Sequence, residues 1–452
     1  MKRVLIANRG EIAYRIIRSC RAMGLETVAV YSEADAQGLH VVEADRRVAI
    51  GGAAPAQSYL CADALLQAAT TSQADAIHPG YGFLAEDARF AQSVEDAGLL
   101  WVGPTPKSIE DMGDKERARL LAKAAGVPVL EGSARFATGD NGKLVEAAAR
   151  VGYPLLVKAA AGGGGIGMRK VGTPDELVAC VEATQSMAQR AFGESSIYLE
   201  RFIAEARHVE VQVFGFGDGE AVHFHERDCS VQRRFQKIIE ESPAPGLAPE
   251  TRDAMFEAAL ALCRQERYRG AGTVEFVVDA ATQAFWFLEM NTRIQVEHPV
   301  SEAVCGVDLV GMQLRLAAGL PLAVRTQADV RRTGHAIECR VYAERPAKGF
   351  LPSTGTLKVF RLPGGDDSLR IDSGVREGDA ITHFYDPMIA KVIASGNDRS
   401  AAIERMLDAL GQIAIEGVET NLAFLRQAVD SAAFRAGGVT TGFVDRHKSA
   451  LM

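Results

Sequence analysis

Through the first hundred residues, short apolar runs alternate with stretches in which apolar side chains recur every three or four positions. Val4-Leu-Ile-Ala7, Thr27-Val-Ala-Val30, Ala74-Asp-Ala-Ile77 and Leu100-Trp-Val102 read as strands, and residues 10–23 read as a helix. Strands taking turns with helices predict a doubly wound parallel sheet with helices on both faces. Residues 126–133, Gly-Val-Pro-Val-Leu-Glu-Gly-Ser, break that rhythm and predict a hinge into a smaller unit ending near Glu200. Within it, residues 155–158 and 196–200 are strand-like. From Ala204 to about Leu320 the pattern predicts antiparallel strands, then a helix over 308–318. From His335 onward it predicts mostly strands, closing with helices near 399–411 and 422–430. No internal repeat or low-complexity tail is visible.

One alternation differs from the rest. In Glu289-Met-Asn-Thr-Arg-Ile-Gln-Val-Glu297 every second residue is polar or charged. In an extended chain Glu289, Asn291, Arg293, Gln295 and Glu297 would share one face. Residues 273–278 and 285–290 read as two strands joined by 279–284. Pairing them around Thr282 sets Glu275 opposite Glu289, with Cβ atoms about 5 Å apart. Like charges facing each other repel unless a cation sits between them. Two carboxylates and an Asn amide oxygen suit a hard, oxygen-loving ion such as Mg2+. A solvated edge-strand face is the competing reading of the same pattern.

Composition narrows the choices. A chain of 452 residues has room for two to four domains, and its net charge of -8 argues against a general nucleic-acid binder. The seven cysteines are scattered without a C-x-x-C pair, which excludes an ordinary zinc cluster and gives no disulfide framework. No apolar run is long enough to span a bilayer, and the amino terminus lacks a secretory apolar core. These features predict a soluble cytoplasmic protein.

Further chemistry lies in three places. Lys158-Ala-Ala-Ala-Gly-Gly-Gly-Gly-Ile-Gly167 separates two predicted strands. Consecutive glycines let backbone N–H groups approach an anion closely, and a strand–glycine loop–strand hairpin closing over phosphates fits better than a helix-opening phosphate loop. A flexible linker is the alternative for a glycine run, and Lys158 at the strand end favours phosphate. Lys115 sits near the start of a helix, where a lone lysine is by default a solvated charge. The segment Asp228-Cys-Ser-Val-Gln-Arg-Arg-Phe-Gln-Lys237 holds three cations but is followed by Glu240 and Glu241, which favours a small-anion pocket over nucleic acid. His208, His223, His225 and His298 lack ligand spacing and read as hydrogen-bonding or core residues.

Taken in order, the chain resembles biotin carboxylase, the ATP-grasp component of biotin-dependent carboxylases. The matching stretches are A-N-R-G-E-I-A at 7–13, H-P-G-Y-G-F-L at 78–84, M-G-D-K at 112–115 and G-G-G-G at 162–165. They continue with R-H-V-E-V-Q-V at 207–213, E-R-D-C-S-V-Q-R-R at 226–234 and E-M-N-T-R-I-Q-V-E-H-P at 289–299. The last are G-H-A-I-E-C-R at 334–340 and Y-D-P-M-I-A-K at 385–391. The resemblance implies a mixed α/β and α+β chain in three parts. These are a Rossmann-like domain over 1–114, an ATP-grasp domain over 115–330 with a mobile lid at about 131–203, and a mainly β carboxy-terminal domain over 331–447.

It also implies roles. Lys115, Lys158 and His208 would contact ATP beneath a lid carrying Gly164 and Gly165. Glu200, Arg201 and Ile203 would line the adenine edge, with Gln232 and Tyr81 added to the binding set. Glu275, Glu289 and Asn291 would hold Mg2+, with Mn2+ as a substitute. Lys237, Arg293, Gln295 and the Val296 N–H would bind bicarbonate, Glu297 would be the general base, and Arg340 would stabilise the biotin enolate. Bicarbonate, activated as carboxyphosphate, would supply CO2 to biotin. No lysine flanked by methionines precedes Met452, so biotin is expected on a separate carrier protein or a further region, with a carboxyltransferase partner and a homodimer. Free-standing subunits and the α-subunits of acyl-CoA carboxylases fit equally.

The chain departs from the family at Phe235, where a polar residue is usual, at Ile166, where a basic one is, and at Ala85 and Arg345. Two rival readings follow. One is another ATP-grasp carboxylate–amine ligase, the other a non-catalytic nucleotide-binding subunit.

Overall fold

The computed structural model describes residues 1–139, 141–160 and 167–451. The amino-terminal sheet has five parallel strands in the order β3-β2-β1-β4-β5: β1 (Arg3–Ile6), β2 (Glu26–Ser32), β3 (Arg46–Gly51), β4 (Ala76–His78) and β5 (Leu100–Trp101). Both faces of its central strands are covered, with Val4 and Ile6 in one apolar cluster and Leu5, Val28 and Ile77 in another. That is why these strands read as continuous apolar runs. Helix α1 (Gly10–Ala22) buries Ile12, Ile16, Ile17 and Cys20 along one face. The sequence reading missed β3, because Arg46 and Arg47 open it on the sheet edge.

Strand order reverses between β1 and β4, the position where open α/β sheets form their crevice. The loops leaving these two strands are the motif loops at 7–13 and 78–84. The Asn8 amide ties them, donating 2.7 Å bonds to the carbonyls of Pro79 and Tyr81. Gly80 between them sits at φ +64°, and a Cβ there would lie 2.9 Å from Asn8 Nδ2.

A second unit follows helix α2 (Lys115–Ala124). It has a three-stranded sheet of β6 (Leu155–Ala159), β7 (Met168–Val171) and β8 (Ile197–Arg201), in the order β7-β6-β8. Leu155, Val157 and Leu199 pack on Leu144 and Leu177 from two helices. Lys158 pairs with Met168, so the strands flanking the glycine run form the expected hairpin. Gly164, Gly165 and Ile166 lie outside the described residues.

The largest sheet is antiparallel and eight-stranded. Its strands are β9 (Ala206–Phe216), β10 (Ala221–Arg233), β11 (Gln236–Ser242), β12 (Arg269–Asp279), β13 (Phe285–Asn291), β14 (His335–Tyr342), β15 (Leu369–Ser373) and β16 (Met388–Gly396), ordered β13-β12-β9-β10-β11-β14-β16-β15. Between β11 and β12 runs α3 (Pro249–Glu266), an eighteen-residue helix that the strand reading of this region passed over. On one face of β14 and β16, Ile337, Cys339, Val341 and Val392 form a core with α6 (Arg399–Gln412) and α7 (Leu422–Asp430). The other face carries the polar Glu338, Arg340 and Lys391, and through Ala336 and Ile393 it packs on Val300 and Val304 of α4 (His298–Cys305), which is followed by α5 (Leu309–Ala317). No helix among the described residues is long and apolar enough to cross a membrane, and all seven cysteines are free.

Candidate active site

Strand register assembles the site. Glu289 on β13 stands opposite Glu275 on β12, Glu275 opposite Glu210 on β9, and Glu210 opposite Arg227 on β10. The pairing expected around Thr282 holds at the Glu275 end. A bulge then shifts the register by one, pairing Phe276 with Phe287. The row thus places three carboxylates side by side on successive strands, an arrangement that needs cations.

Two cations come from the protein itself. The Lys237 ammonium lies 2.6 Å from Glu210, 2.7 Å from Glu275 and 2.7 Å from Glu297. Arg227, fully buried, donates from Nε to Glu210 at 2.7 Å and from Nη2 to Gln295 Oε1 at 2.8 Å. Burial opposes the charge on Lys237, yet the three carboxylates hold its pKa well above the lysine range. Burial likewise opposes ionisation of Glu275 and Glu297. Lys237 with His208, and Lys237 with Arg340, nonetheless hold these two carboxyls well below their usual range.

Glu289 differs: burial and the facing Glu275 both raise its pKa. Its side chain is only partly covered and opens onto the cleft, where Lys115, His208 and Lys237 offset part of that repulsion. Glu275, Glu289 and the Asn291 amide are all oxygen donors, and a hard divalent cation fits them. Asn291 turns its amide nitrogen to Glu275 at 2.8 Å and its oxygen to Arg293 Nη2 at 3.0 Å.

The extended chain expected over 289–297 stops at Asn291. Beyond it the backbone turns, and Glu297 becomes the residue capping α4. The turn still delivers Arg293, Gln295, Val296 and Glu297 to one cleft of about 450 Å³ shared with Glu275, Glu289 and Asn291. Arg293 is tethered through Nε to Glu86 at 2.9 Å, and Gln295 donates to Glu275 at 2.9 Å. The Val296 carbonyl accepts from Lys391 at 2.8 Å.

Lys115, Lys158, Glu200, His208, Gln232, Lys237 and Arg340 line the same cleft. Lys115 is the first residue of α2, and Lys158 pairs with Glu200. His208 Nδ1 lies 2.7 Å from the Gln232 amide nitrogen, and Nε2 lies 2.8 Å from Glu275. Arg340 donates to Glu297 at 2.9 Å. Three expected residues lie elsewhere. Alternation on β8 sends Arg201 away from Glu200 and leaves it exposed, Ile203 is buried beyond the strand, and Tyr81 bonds Glu11 between the motif loops. A larger cavity of about 790 Å³ adjoins this cleft, sharing Lys115, Arg119 and Tyr198 with it and reaching Arg135 and Arg150.

The sequence reading left out Glu210, Arg227 and Glu86. Glu210 was accessible: His208, Glu210 and Gln212 alternate with Val209, Val211 and Val213, the same polar rhythm that marked 289–297. Nothing local marks Glu86, which reaches Arg293 from more than two hundred residues away.

Comparisons with known proteins agree along the whole chain. The family described as Biotin carboxylase, N-terminal domain, matches residues 1–109. Carbamoyl-phosphate synthase L chain, ATP binding domain, matches 114–325, and Biotin carboxylase C-terminal domain matches 338–446. Biotin carboxylase 1 of Bacillus subtilis is 47% identical over 447 residues, covering 99% of both chains. The mitochondrial methylcrotonoyl-CoA carboxylase subunit alpha of Glycine max is 47% identical over 453 residues, covering 100% of this chain and 61% of its own. The chain therefore spans about three-fifths of the length of such α-subunits. Among solved structures, the biotin carboxylase domain dimer of Hydrogenobacter thermophilus 2-oxoglutarate carboxylase, with MgADP, ADP and bicarbonate, superposes with a TM-score of 0.95. It shares 42% identity and is covered to 98%, with 100% of this chain matched. A Campylobacter jejuni biotin carboxylase–β,γ-ATP complex gives 0.94 at 40% identity, with 99% of each chain covered.

Proposed function

The chain belongs to the biotin carboxylase family, and on that premise we propose that it carboxylates biotin with bicarbonate, consuming ATP in the presence of Mg2+. The observation that carries this reading is the contact of Glu297 with both Lys237, at 2.7 Å, and Arg340, at 2.9 Å, beside the Glu275–Glu289 pair. A base, an anion-binding ammonium and an oxyanion-stabilising guanidinium meet in one cleft.

Lys237, Arg293 and Gln295 bind bicarbonate, and Glu297 takes its proton. Lys237 and Arg340 hold Glu297 well below the usual carboxylate range, which makes it a weak base. An anion that recruits these cations leaves Glu297 with less positive charge nearby and makes it a stronger base. Lys115, Lys158 and His208 hold the nucleotide phosphates, and Glu200 orients Lys158. Glu275, Glu289 and Asn291 would hold Mg2+, which supplies charge neutralisation between the phosphates of ATP. Arg340 then stabilises the oxyanion that develops on the ureido group of biotin. The nucleotide lies beneath the lid (about 131–203) of the domain spanning 115–330, between the parts at 1–114 and 331–447.

Biotin is presented on a carrier protein, a carboxyltransferase accepts the carboxyl group, and the chain forms a homodimer. The dimeric biotin carboxylase domain of the Hydrogenobacter thermophilus enzyme and the acyl-CoA carboxylase relatives support these partners. The test is ADP release with Mg2+ and bicarbonate, with and without free biotin, for the wild type, Glu297→Ala and Arg340→Ala. Biotin-stimulated turnover abolished by both substitutions is the expected result. Nucleotide binding without any turnover would replace this reading with a non-catalytic subunit.

A further inference from the structure

Behind Arg340, away from the cleft, the same polar sheet face holds a second pair of acids. Register sets Glu240 on β11 opposite Glu338 on β14, so their side chains share a face. Both are completely buried, and none of their four carboxylate oxygens has a hydrogen-bond partner. Glu240 Oε1 lies 2.5 Å from Arg340 Nη2, within ion-pair range but out of line for a hydrogen bond. The same Nη2 donates to Glu297 Oε2 at 2.9 Å. Arg340 is therefore shared between Glu297, which faces the cleft, and Glu240, which does not.

The surrounding cations make their hydrogen bonds elsewhere, although the Lys391 charge still acts on Glu338 and that of Lys237 on Glu240. On β16, Lys391 bonds the Val296 carbonyl at 2.8 Å and lies 3.2 Å from Glu11. On β11, Lys237 faces Glu210, Glu275 and Glu297. On β10, Arg227 is taken by Glu210, Gln212 and Gln295. On α4, His298 bonds the Gln295 carbonyl, and Glu302 is held by Arg15 and Arg370. Glu241, next along β11, points to the opposite face, paired with His335 and Arg399. Two carboxylates facing each other in a dry site with one shared guanidinium do not both ionise.

We propose that Glu240 and Glu338 always keep at least one proton between them, and that the loss of the Glu240 proton sets how firmly Arg340 is drawn back from the cleft. Glu240 is thus a positioning residue acting through Arg340, an inference that rests on the role proposed above for Arg340. With Glu240 neutral, Glu297 is the one ion-pair partner left to the guanidinium among the described residues, and Arg340 stays available to an oxyanion. With Glu240 ionised, Arg340 gains a second anion on its far side, and biotin-dependent turnover falls. Burial pushes the Glu240 carboxyl up to about 7, with Arg340 opposing the rise and Glu297 adding to it, and burial likewise raises Glu338 well above its usual value. Of the two, Glu240 is the one against Arg340, so it is the member that ionises. The pair titrates as a unit. Glu338 keeps its proton and can donate it to the Glu240 carboxylate, which eases that ionisation.

Three variants and two readouts test this. In the wild type, biotin-dependent kcat should decline on the alkaline side of neutrality. Glu240→Gln should remove that limb. Glu338→Gln, whose amide still donates, should keep it, and Glu338→Leu should move it up by about one pH unit or more. Independently of activity, difference infrared spectra across neutrality should show a protonated-carboxyl band disappearing. The share of that band due to Glu240 should be missing from Glu240→Gln. A remainder is expected from other raised carboxyls, among them Glu344, which burial also pushes up to about 7. Turnover with an unaltered pH profile and band in Glu240→Gln would overturn the proposal. Absence of any biotin-dependent turnover would instead overturn the functional reading, while the infrared titration would still report on the pair.

Discussion

Glu275 and Glu289 face each other across neighbouring strands at the floor of the cleft, and they are not equally compensated. Lys237 and His208 neutralise Glu275, at 2.7 and 2.8 Å. Burial and Glu275 still raise the Glu289 pKa, against the partial relief from Lys115, His208 and Lys237. Replacing Glu289 should therefore have two opposed effects. Glu289→Gln should lower Mn2+ affinity in the presence of ADP by more than the roughly tenfold that loss of an outer-shell partner costs. The same change should raise metal-free stability by up to about 1 kcal/mol, because a directly opposed like charge is removed. Mn2+ titration and urea unfolding of the same samples check both. A fall in metal-free stability would show that Glu289 serves the apo fold instead.

Lys237 is the hub of the acid row, touching Glu210, Glu275 and Glu297 at once. Lys237→Met leaves three buried carboxylates short of a cation. Breaking a buried pair from one side costs about 3–5 kcal/mol, and that loss should appear as a lower urea midpoint at neutral pH. Adding Glu210→Gln should recover part of it, since one uncompensated charge is then removed. Equal stability of the single variant and the wild type would contradict the arrangement.

Stability should depend on pH in two windows of opposite sign. Glu297 and Glu275 titrate well below the ordinary value of 4.5, so their contribution is complete above 4.5 and is lost as pH falls through their folded values. Glu240 runs the other way. Its folded value of about 7 lies above 4.5, so the native state binds the extra proton and stability declines as pH rises through that interval. Urea midpoints measured across acid and neutral pH should show a maximum near the ordinary carboxylate range. Glu240→Gln should flatten the decline towards neutrality and leave the acid side unchanged.

How much of this was legible in the sequence depended on period and distance along the chain. The facing of Glu275 and Glu289 followed from two short strands and their connection, because a hairpin is a local object whose register its own residues decide. Helix α3 was missed because alanines at Ala254, Ala258, Ala259 and Ala261 dilute its apolar stripe. The turn after Asn291 was hidden for another reason: the polar alternation is real, yet a bend that keeps each side chain on the cleft preserves the same pattern. Glu86, Glu240, Glu338 and Lys391 acquire meaning only through partners far away in sequence. Lone acids and a lone lysine carry no local signal of that kind.

Phe235 is the departure from the family that the structure makes testable. It lines the cleft at the turn between β10 and β11, is 55% exposed, and holds φ at +67°. A phenyl ring offers the nucleotide no hydrogen bond, and bulky residues adopt that left-handed backbone less readily than histidine does. Phe235→His should therefore lower the KM for ATP by about two- to tenfold, the worth of one hydrogen bond of 0.5–1.5 kcal/mol. The KM for bicarbonate and kcat should change little, because Lys237, Arg293 and Glu297 keep their contacts. The melting temperature should stay level or rise, since the new residue relaxes the backbone without leaving a cavity. Steady-state kinetics with each substrate varied in turn, alongside thermal unfolding, separate these outcomes. An unchanged or higher KM for ATP would mean that the aromatic ring already contributes to nucleotide binding, and Phe235→Ala should then weaken ATP binding further.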